Sequence, residues 1–252
     1  MSTSRKDLLV GARGVARQRR QRILATLFRH FWFKAFGTTA FTALFFVAYI
    51  YLLKNPAGPV TTVPRIWLDA LIPFHPLALI PYLSLWIYVS LPPILMVRRA
   101  DIVAYGLRIG PLCLAGLAIF YFWPSAVPPM DVDWARYPGM AFLKGVDAAG
   151  NACPSLHVAT AVFSAFWLHH LLRRLGCGAG VLWGNALWCA AIAWSTVATH
   201  QHVVLDVLAG AALAGLAAWL SFLPRRHFAL LAEDGALVSI HEKKTETAST
   251  CA

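Results

Sequence analysis

Charge is scarce in this sequence. Of its 252 residues only 13% are charged, and 11 acidic residues stand against 22 basic ones. Soluble domains average about a quarter charged residues, and a soluble domain with so few could not cover its surface with polar side chains. Hydrophobic residues make up 59% and aromatic residues 13% of the chain, which excludes a disordered protein. We therefore predict an all-α, polytopic membrane protein, with room for six transmembrane helices of about 20 residues each.

Paired cysteines and nucleic-acid motifs are lacking as well. The five cysteines form no CxxC pair and their number is odd, so neither a disulfide framework nor a zinc site is expected. The net charge of +11 comes without a nucleic-acid-binding motif. We assign this charge to basic loops that fix membrane topology and contact anionic lipid, and we expect no nucleic acid and no cofactor.

Six apolar runs predict the membrane-spanning helices. They lie at about residues 36–53, 77–97, 107–123, 155–172, 181–199 and 202–223. Before them, apolar residues recur at helical spacing among arginines, which predicts an amphipathic helix on an anionic cytoplasmic leaflet. These residues are Leu24, Leu27, Phe28 and Phe31. The predicted organisation is a basic interfacial segment at 1–35, a six-helix catalytic domain at 36–224 and a cytoplasmic tail at 225–252.

Basic residues divide unequally between the two sides of the predicted bundle. If the N-terminus is cytoplasmic, 18 of the 22 lie on the cytoplasmic side, and four lie opposite: Lys54, Arg65, Arg136 and Lys144. Arg108 belongs to the first group, at the start of the third run, where its side chain can reach the interface. Because cytoplasmic loops carry an excess of Lys and Arg, we expect both termini in the cytoplasm. The compact basic profile suggests a bacterial inner membrane protein.

A single acid lies within an apolar run. Asp206 is four residues after His202, so the two lie on the same face of the predicted helix. An acid within the membrane is costly and normally has a partner. A carboxylate one turn from an imidazole can accept the ring N–H, which fixes the tautomer and raises the basicity of the other nitrogen. The alternative is a structural pair that closes the end of a helix.

A second histidine precedes the fourth run, in the sequence CPSLH at residues 153–157. Pro154 suits the first turn of a helix, and Ser155 suits capping or anion binding there. His157 then lies in the first turn, at the same membrane depth as His202. Two imidazoles from separate helices, one backed by a carboxylate, suit attack at phosphorus by one and protonation of the leaving oxygen by the other.

These two motifs resemble those of the type 2 phosphatidic acid phosphatase superfamily. That family has a PSxH-type motif and, in a later helix, an HxxxD motif, which match PSLH at 154–157 and HVVLD at 202–206. The resemblance implies that His202 is the nucleophile that forms a phosphohistidine and that Asp206 holds and charge-balances it. It implies that His157 is the general acid for the departing lipid oxygen. It also implies a six-helix core with its site on the non-cytoplasmic side.

The sequence departs from the phosphatase branch of this family in two places. That branch has Ser-Arg at the start of the HxxxD motif, with the Arg binding phosphate, whereas the matching residues here are Ser195 and Thr196. Its KxxxxxxRP motif is not found. The proline-rich segment YFWPSAVPP at 121–129, together with PSLHVA, is closer to the inositol phosphorylceramide synthase-like branch, which transfers a phospho-headgroup between lipids.

Without that arginine, other groups must contact the phosphate of a membrane lipid substrate, since the transition state needs positive donors on its oxygens. The candidates for substrate binding share a position on the non-cytoplasmic side: Ser155, His200, Lys144, Arg136 and Asn151. The alternative for Lys144 and Arg136 is that they are ordinary loop charges. The lipid class and the oligomeric state stay open.

The sequence allows three alternatives to a phosphoryl-handling enzyme. A metal site could use His157, His200, His202 and Asp206, but His200 and His202, two residues apart, would point to different faces of one helix. We therefore expect no metal. A proton-coupled transporter could use the His–Asp pair as a relay, but no internal repeat is visible. A catalytically silent scaffold is the third.

Overall fold

Six long helices form most of the described chain. The computed structural model describes residues 28–130, 132–137, 139–140 and 150–222. The helices are α1 (Phe31–Lys54), α2 (Leu79–Leu95), α3 (Arg99–Phe122), α4 (Leu156–Arg174), α5 (Ala179–Ala198) and α6 (Val204–Phe222). Two-residue strands, β1 (Thr61–Thr62) and β2 (Ser125–Ala126), pair in parallel. Short 3-10 helices cover Trp67–Leu71, Pro76–Ala78 and Trp134–Arg136. The expectation of an all-α membrane protein is confirmed.

Contacts within the chain divide it into two units, Met1–Ala217 and Ala218–Ala252. The described part of the second unit, residues 218–222, is the last part of α6. All the helix contacts and the site described below lie within the first unit.

Five of the six helices are long and apolar enough to cross a membrane, and α4 is the helix that does not meet this standard. Its histidines and its terminal arginines, Arg173 and Arg174, make it more polar than its neighbours. The helix packs against α2, α3 and α5, and eight of its residues are buried. A helix surrounded by protein can carry polar groups that lipid would not accommodate. The number of six spans thus stays a prediction.

The helices alternate in direction. At one end, which we call the loop end, β1 after α1 pairs with β2 after α3, and the His75 N–H before α2 donates to the Ala198 carbonyl of α5 (2.9 Å). At the opposite end, which we call the turn end, the Lys34 ammonium donates to the Ile94 carbonyl of α2 (2.6 Å). The ends of α1, α3 and α5 and the starts of α2, α4 and α6 therefore meet at the loop end.

Polar contacts fasten α4 inside the bundle. The Tyr105 hydroxyl of α3 lies 3.1 Å from the Ser164 hydroxyl of α4. The Tyr88 hydroxyl of α2 donates to the Asn185 side-chain oxygen of α5 (2.7 Å), and the Asn185 amide donates to the Ala165 carbonyl of α4 (3.1 Å). Hydrogen bonds of this kind hold neighbouring helices together in membranes.

Two helices begin earlier than the apolar runs predict. The first starts at Phe31 instead of residue 36, because the aromatic segment FWF continues the helix. The third starts at Arg99 instead of residue 107, so Arg108 lies in its third turn and not at its start. There the guanidinium lies 5.6 Å from the centre of the Trp167 ring and donates to the Ala104 carbonyl. The predicted interfacial helix, apart from residues 28–35, and the predicted tail lie outside the described residues.

We expect Tyr88→Phe to lower the free energy of unfolding of the purified protein by about 1 kcal/mol, because the buried Asn185 oxygen loses its hydrogen-bond donor. Asn185→Ala should cost at least as much, since it breaks the contacts to both α2 and α4. In a double-mutant cycle the two losses should overlap. Strictly additive losses would show that the two side chains do not interact.

Candidate active site

The turn between α5 and α6 places His202 at the loop end. His200 has a left-handed backbone (φ 55°), its N–H donates to the Val197 carbonyl (2.8 Å), and the Gln201 N–H donates to the Thr196 carbonyl (3.0 Å). This is the Schellman pattern of helix ends, with a histidine where glycine is usual. The chain reverses within a few residues, so His202 lies two residues before α6, and its side chain is buried.

Asp206 lies in the first turn of α6 and is fully buried. Its Oδ2 accepts a hydrogen bond from the Val203 N–H (3.0 Å) and lies 3.3 Å from Nδ1 of His202. An acid in the first turn stabilises the positive end of a helix dipole. The spacing predicts both residues on one helix, whereas His202 precedes that helix. The pair still forms because the carboxylate turns back toward the helix N-terminus.

Asp69, in the 3-10 helix Trp67–Leu71, caps the same helix from a distant part of the chain. Its Oδ1 accepts the Val204 N–H (2.8 Å) at the start of α6, and its Oδ2 accepts the Ile66 N–H (2.8 Å). The carboxylate thus satisfies a free N–H of the helix that follows His202. Sequence reasoning missed Asp69, which looks like an ordinary loop acid and is 135 residues from its partner.

The start of α4 lies directly against the start of α6. Ser155 caps α4, its hydroxyl accepting the Val158 N–H (3.3 Å), and the Ser155 N–H donates to the backbone carbonyl of Asp206 (3.0 Å). Pro154 precedes this cap. It therefore lies outside the first turn of α4, where the sequence predicts it. A Cβ atom on Gly210 would overlap the backbone oxygen of Ser155. The approach of the two helices therefore requires glycine at that position.

This contact brings the two histidines together. His157 is the second residue of α4, and the centre of its ring lies 5.6 Å from the centre of the His202 ring. The Tyr82 hydroxyl of α2 lies 2.9 Å from Nε2 of His157, and the Trp86 ring flanks it. Tyr82 was not predicted, because nothing local distinguishes it from the other tyrosines of the chain.

The arrangement has the parts of a nucleophile and an acid. A carboxylate beside Nδ1 of His202 favours the tautomer with the proton on that nitrogen, which leaves the lone pair on Nε2. His157, held by Tyr82, presents a second imidazole to the same space. A group bound between the rings can thus be attacked from one side and protonated from the other.

Cys153 is a further group close to Asp206. Burial, and secondarily the Asp206 carboxylate, raise the pKa of the Cys153 thiol to about 11. The thiol is therefore protonated at neutral pH and is a poor nucleophile.

The residues predicted to bind substrate are spread over the loop end. Asn151 is buried and its amide donates to the Tyr49 carbonyl of α1 (2.9 Å), while the His200 ring packs against Phe74. The Arg136 side chain is 77% exposed and pairs with Asp133 (2.9 Å). Lys144 lies outside the described residues, so its role stays a prediction.

The pair Ser195 and Thr196, where the phosphatase branch has Ser-Arg, is buried in α5. Both hydroxyls donate to carbonyls of their own helix, those of Ile192 and Ala193 (2.6 and 2.8 Å). These hydroxyls are therefore engaged within α5. Within the described residues, no group of three or more His, Cys, Asp or Glu side chains is placed to hold a metal ion.

A cavity of about 680 Å³ extends from His157 into the bundle. Residues of α1, α2, α3 and α4 line it, and most of them are apolar. One imidazole of the site thus lies in the wall of an apolar cavity.

We expect Gly210→Ala to separate the starts of α4 and α6, because the added methyl group would overlap the Ser155 oxygen. The free energy of unfolding should fall by about 2 kcal/mol or more, as it does at other overpacked sites. The matched control is Gly215→Ala on the same helix, where a Cβ meets no atom within 4 Å. That variant should be neutral or slightly stabilising. Equal effects of the two changes would show that α4 and α6 do not meet at Gly210.

Comparison with known proteins agrees with this geometry. A family model described as the PAP2 superfamily matches residues 106–227, which include both histidines and Asp206. No curated protein and no solved structure matches the chain. Members of this superfamily are phosphatases or phosphotransferases. Residues 106–227, just under half of the chain, therefore match the PAP2 superfamily of phosphoryl-handling enzymes.

Proposed function

We propose that the protein is an integral membrane lipid phosphatase or phosphotransferase that works through a phosphohistidine on His202. The observation that carries this proposal is the convergence of two imidazoles, with ring centres 5.6 Å apart, one of them paired with a buried carboxylate. The family supports phosphoryl chemistry in general. The arrangement of the side chains supports the specific roles.

The reaction has two steps. Nε2 of His202 attacks phosphorus, a P–N bond forms, and the P–O bond to the lipid breaks while His157 gives its proton to the leaving oxygen. Asp206 stabilises the charge that develops on the His202 ring. In the second step a water or an alcohol gives its proton to His157. The oxygen of that water or alcohol attacks phosphorus, and the P–N bond breaks. Two easier steps replace one difficult step.

The phosphate needs donors, and the start of α4 offers them. The first N–H groups of a helix have no partner within it, and the N-terminus favours an anion. Leu156 and His157 are the first two residues of α4. We propose that their N–H groups bind the phosphoryl oxygens. Lys144, Arg136, His200 and Asn151 are further candidates.

The substrate is proposed to be a phosphorylated lipid whose headgroup lies at the loop end. Support comes from the apolar cavity beside His157 and from the apolar helices of the bundle. Basic residues gather at the turn end, at Lys34, Arg98, Arg99, Arg173 and Arg174. By the excess of positive charge in cytoplasmic loops, the turn end faces the cytoplasm and the site faces the periplasm of a bacterial inner membrane. The anionic cytoplasmic leaflet would contact the basic N-terminal segment.

Transfer of a phospho-headgroup between lipids is the second candidate, as in the inositol phosphorylceramide synthase-like branch. The observation that favours it is the burial of the site, since His202 is 5% exposed and Asp206 is 0% exposed. A phosphoenzyme from which water is excluded survives until an alcohol acceptor arrives. Thr196 stands where the phosphatase branch has its phosphate-binding arginine, and this difference also favours transfer.

An assay with labelled lipids separates the two candidates. Purified protein is incubated with a panel of lipids labelled in the phosphate, with and without lipid alcohols as acceptors. Release of inorganic phosphate indicates a phosphatase, and label in a new lipid indicates a transferase. The assay is repeated after exhaustive chelation, and turnover should persist. If the protein acted on no lipid phosphate in the panel, the proposal would be wrong.

We expect His202→Ala to abolish turnover, by on the order of a thousandfold or more, because the attacking nitrogen is gone. Asp206→Asn should lower kcat by roughly a hundredfold or more, since an amide cannot balance an imidazolium. The thermal stability of each purified variant is the control for folding. Turnover of His202→Ala near the normal rate would remove the nucleophile from the mechanism.

We expect Tyr82→Phe to lower kcat by about five- to tenfold with little change in KM, because the Tyr82 hydroxyl contacts the His157 ring and holds its orientation. Tyr51→Phe, an exposed tyrosine of α1, is the matched control and should leave both constants unchanged. A rise in KM with a normal kcat would instead place Tyr82 in substrate binding.

A further inference from the structure

The position of α1 leaves a gap in the bundle. Of its 24 residues, all of which the structure describes, only Lys34 and Leu53 are buried, one near each end. Lys34 donates to the Ile94 carbonyl at the turn end, and the Tyr49 carbonyl accepts from Asn151 at the loop end. The helix is thus fastened at both ends, and the cavity lies along it between these two points.

The lining of the cavity follows most of the length of α1. On α1 its lining extends from Phe33 to Tyr49. At 1.5 Å per residue this is about 24 Å. The hydrocarbon core of a bilayer is about 30 Å thick, so one leaflet contributes about 15 Å. The cavity therefore passes the middle of the membrane.

Its two ends differ in chemistry. The loop end has His157 in its wall, beside the site. The half toward the turn end is lined by small and apolar residues, among them Gly37 of α1, Gly106 of α3 and Pro93 of α2. A Cβ atom on Gly37 or Gly106 would meet no atom within 4 Å, so these glycines border open space.

We propose that this cavity binds one hydrocarbon chain of the substrate along its whole length and selects chains longer than one leaflet is thick. The inference rests on the proposed function, because a phosphate held at His157 puts the chain attached to it at the mouth of the cavity. A shorter chain would leave the part near Gly37 and Gly106 unfilled, and an unfilled apolar cavity forfeits packing contacts. Long isoprenoid chains and very long straight chains share the required property.

The length selection can be measured by binding alone. Full-length protein carrying His202→Ala is titrated with two series of single-chain phosphonates, one straight and one isoprenoid. Each series runs from chains shorter than a leaflet to chains of about 24 Å. We expect the affinity to rise with chain length up to the longest member in at least one series. The series that rises identifies the kind of chain.

Two variants shorten the cavity, and a third serves as a control. Gly37→Leu and Gly106→Leu fill its far half, whereas Gly110→Leu adds the same side chain one turn further along α3, outside the lining and with open space around its Cβ. The filling variants should bind the longest chains at least tenfold more weakly and the shortest chains unchanged. Gly110→Leu should keep the original profile.

The outcomes separate this inference from the proposed function. Identical profiles for all three leucine variants, or affinity independent of chain length, would overturn the cavity assignment even if the protein turns over lipid phosphates. A length profile that shortens in Gly37→Leu and Gly106→Leu supports the cavity assignment even if His202 proves not to be the nucleophile.

Discussion

The hydrogen bond from the Ser155 N–H to the Asp206 carbonyl is the contact on which the site depends. It joins the start of α4, which carries His157, to the start of α6, which carries Asp206, the partner of His202. Gly210 permits the contact, because any side chain there would meet the Ser155 backbone. Asp69 and Ser155 cap the two helices, each accepting one N–H group of a helix start.

Packing against other helices explains why the polar helix α4 can lie inside a membrane protein. Packing of α4 against α2, α3 and α5 shields its polar residues from lipid, and the hydroxyls of Tyr105 and Ser164 meet inside the bundle. The helix that is least suited to lipid is the one that brings His157 to the site. By contrast, α1 is buried only near its ends and leaves the cavity beside it. The buried starts of α4 and α6 thus hold the candidate site, and the cavity beside α1 leaves room for the proposed lipid chain.

Much of this architecture follows from local patterns in the sequence. Apolar runs predict the helices because lipid selects for them, and the spacing of His202 and Asp206 predicts their pairing. Other features depend on contacts between distant residues. Tyr82 is 75 residues from His157, and Asp69 is 135 residues from Val204. No local pattern indicates either. The position of His202 before the helix, instead of within it, depends on the left-handed backbone of His200, for which the sequence offers no glycine as a signal.

The central claim is that phosphorus is bonded to His202 during the reaction. The most direct measurement is to mix the protein briefly with a lipid labelled in its phosphate, denature it under alkaline conditions that preserve phosphohistidine, and locate the label by peptide mass spectrometry. The account predicts label on the imidazole of His202 in the unmodified protein and none in the His202→Ala variant. Label on a different residue, or turnover in which no position becomes labelled, would contradict it.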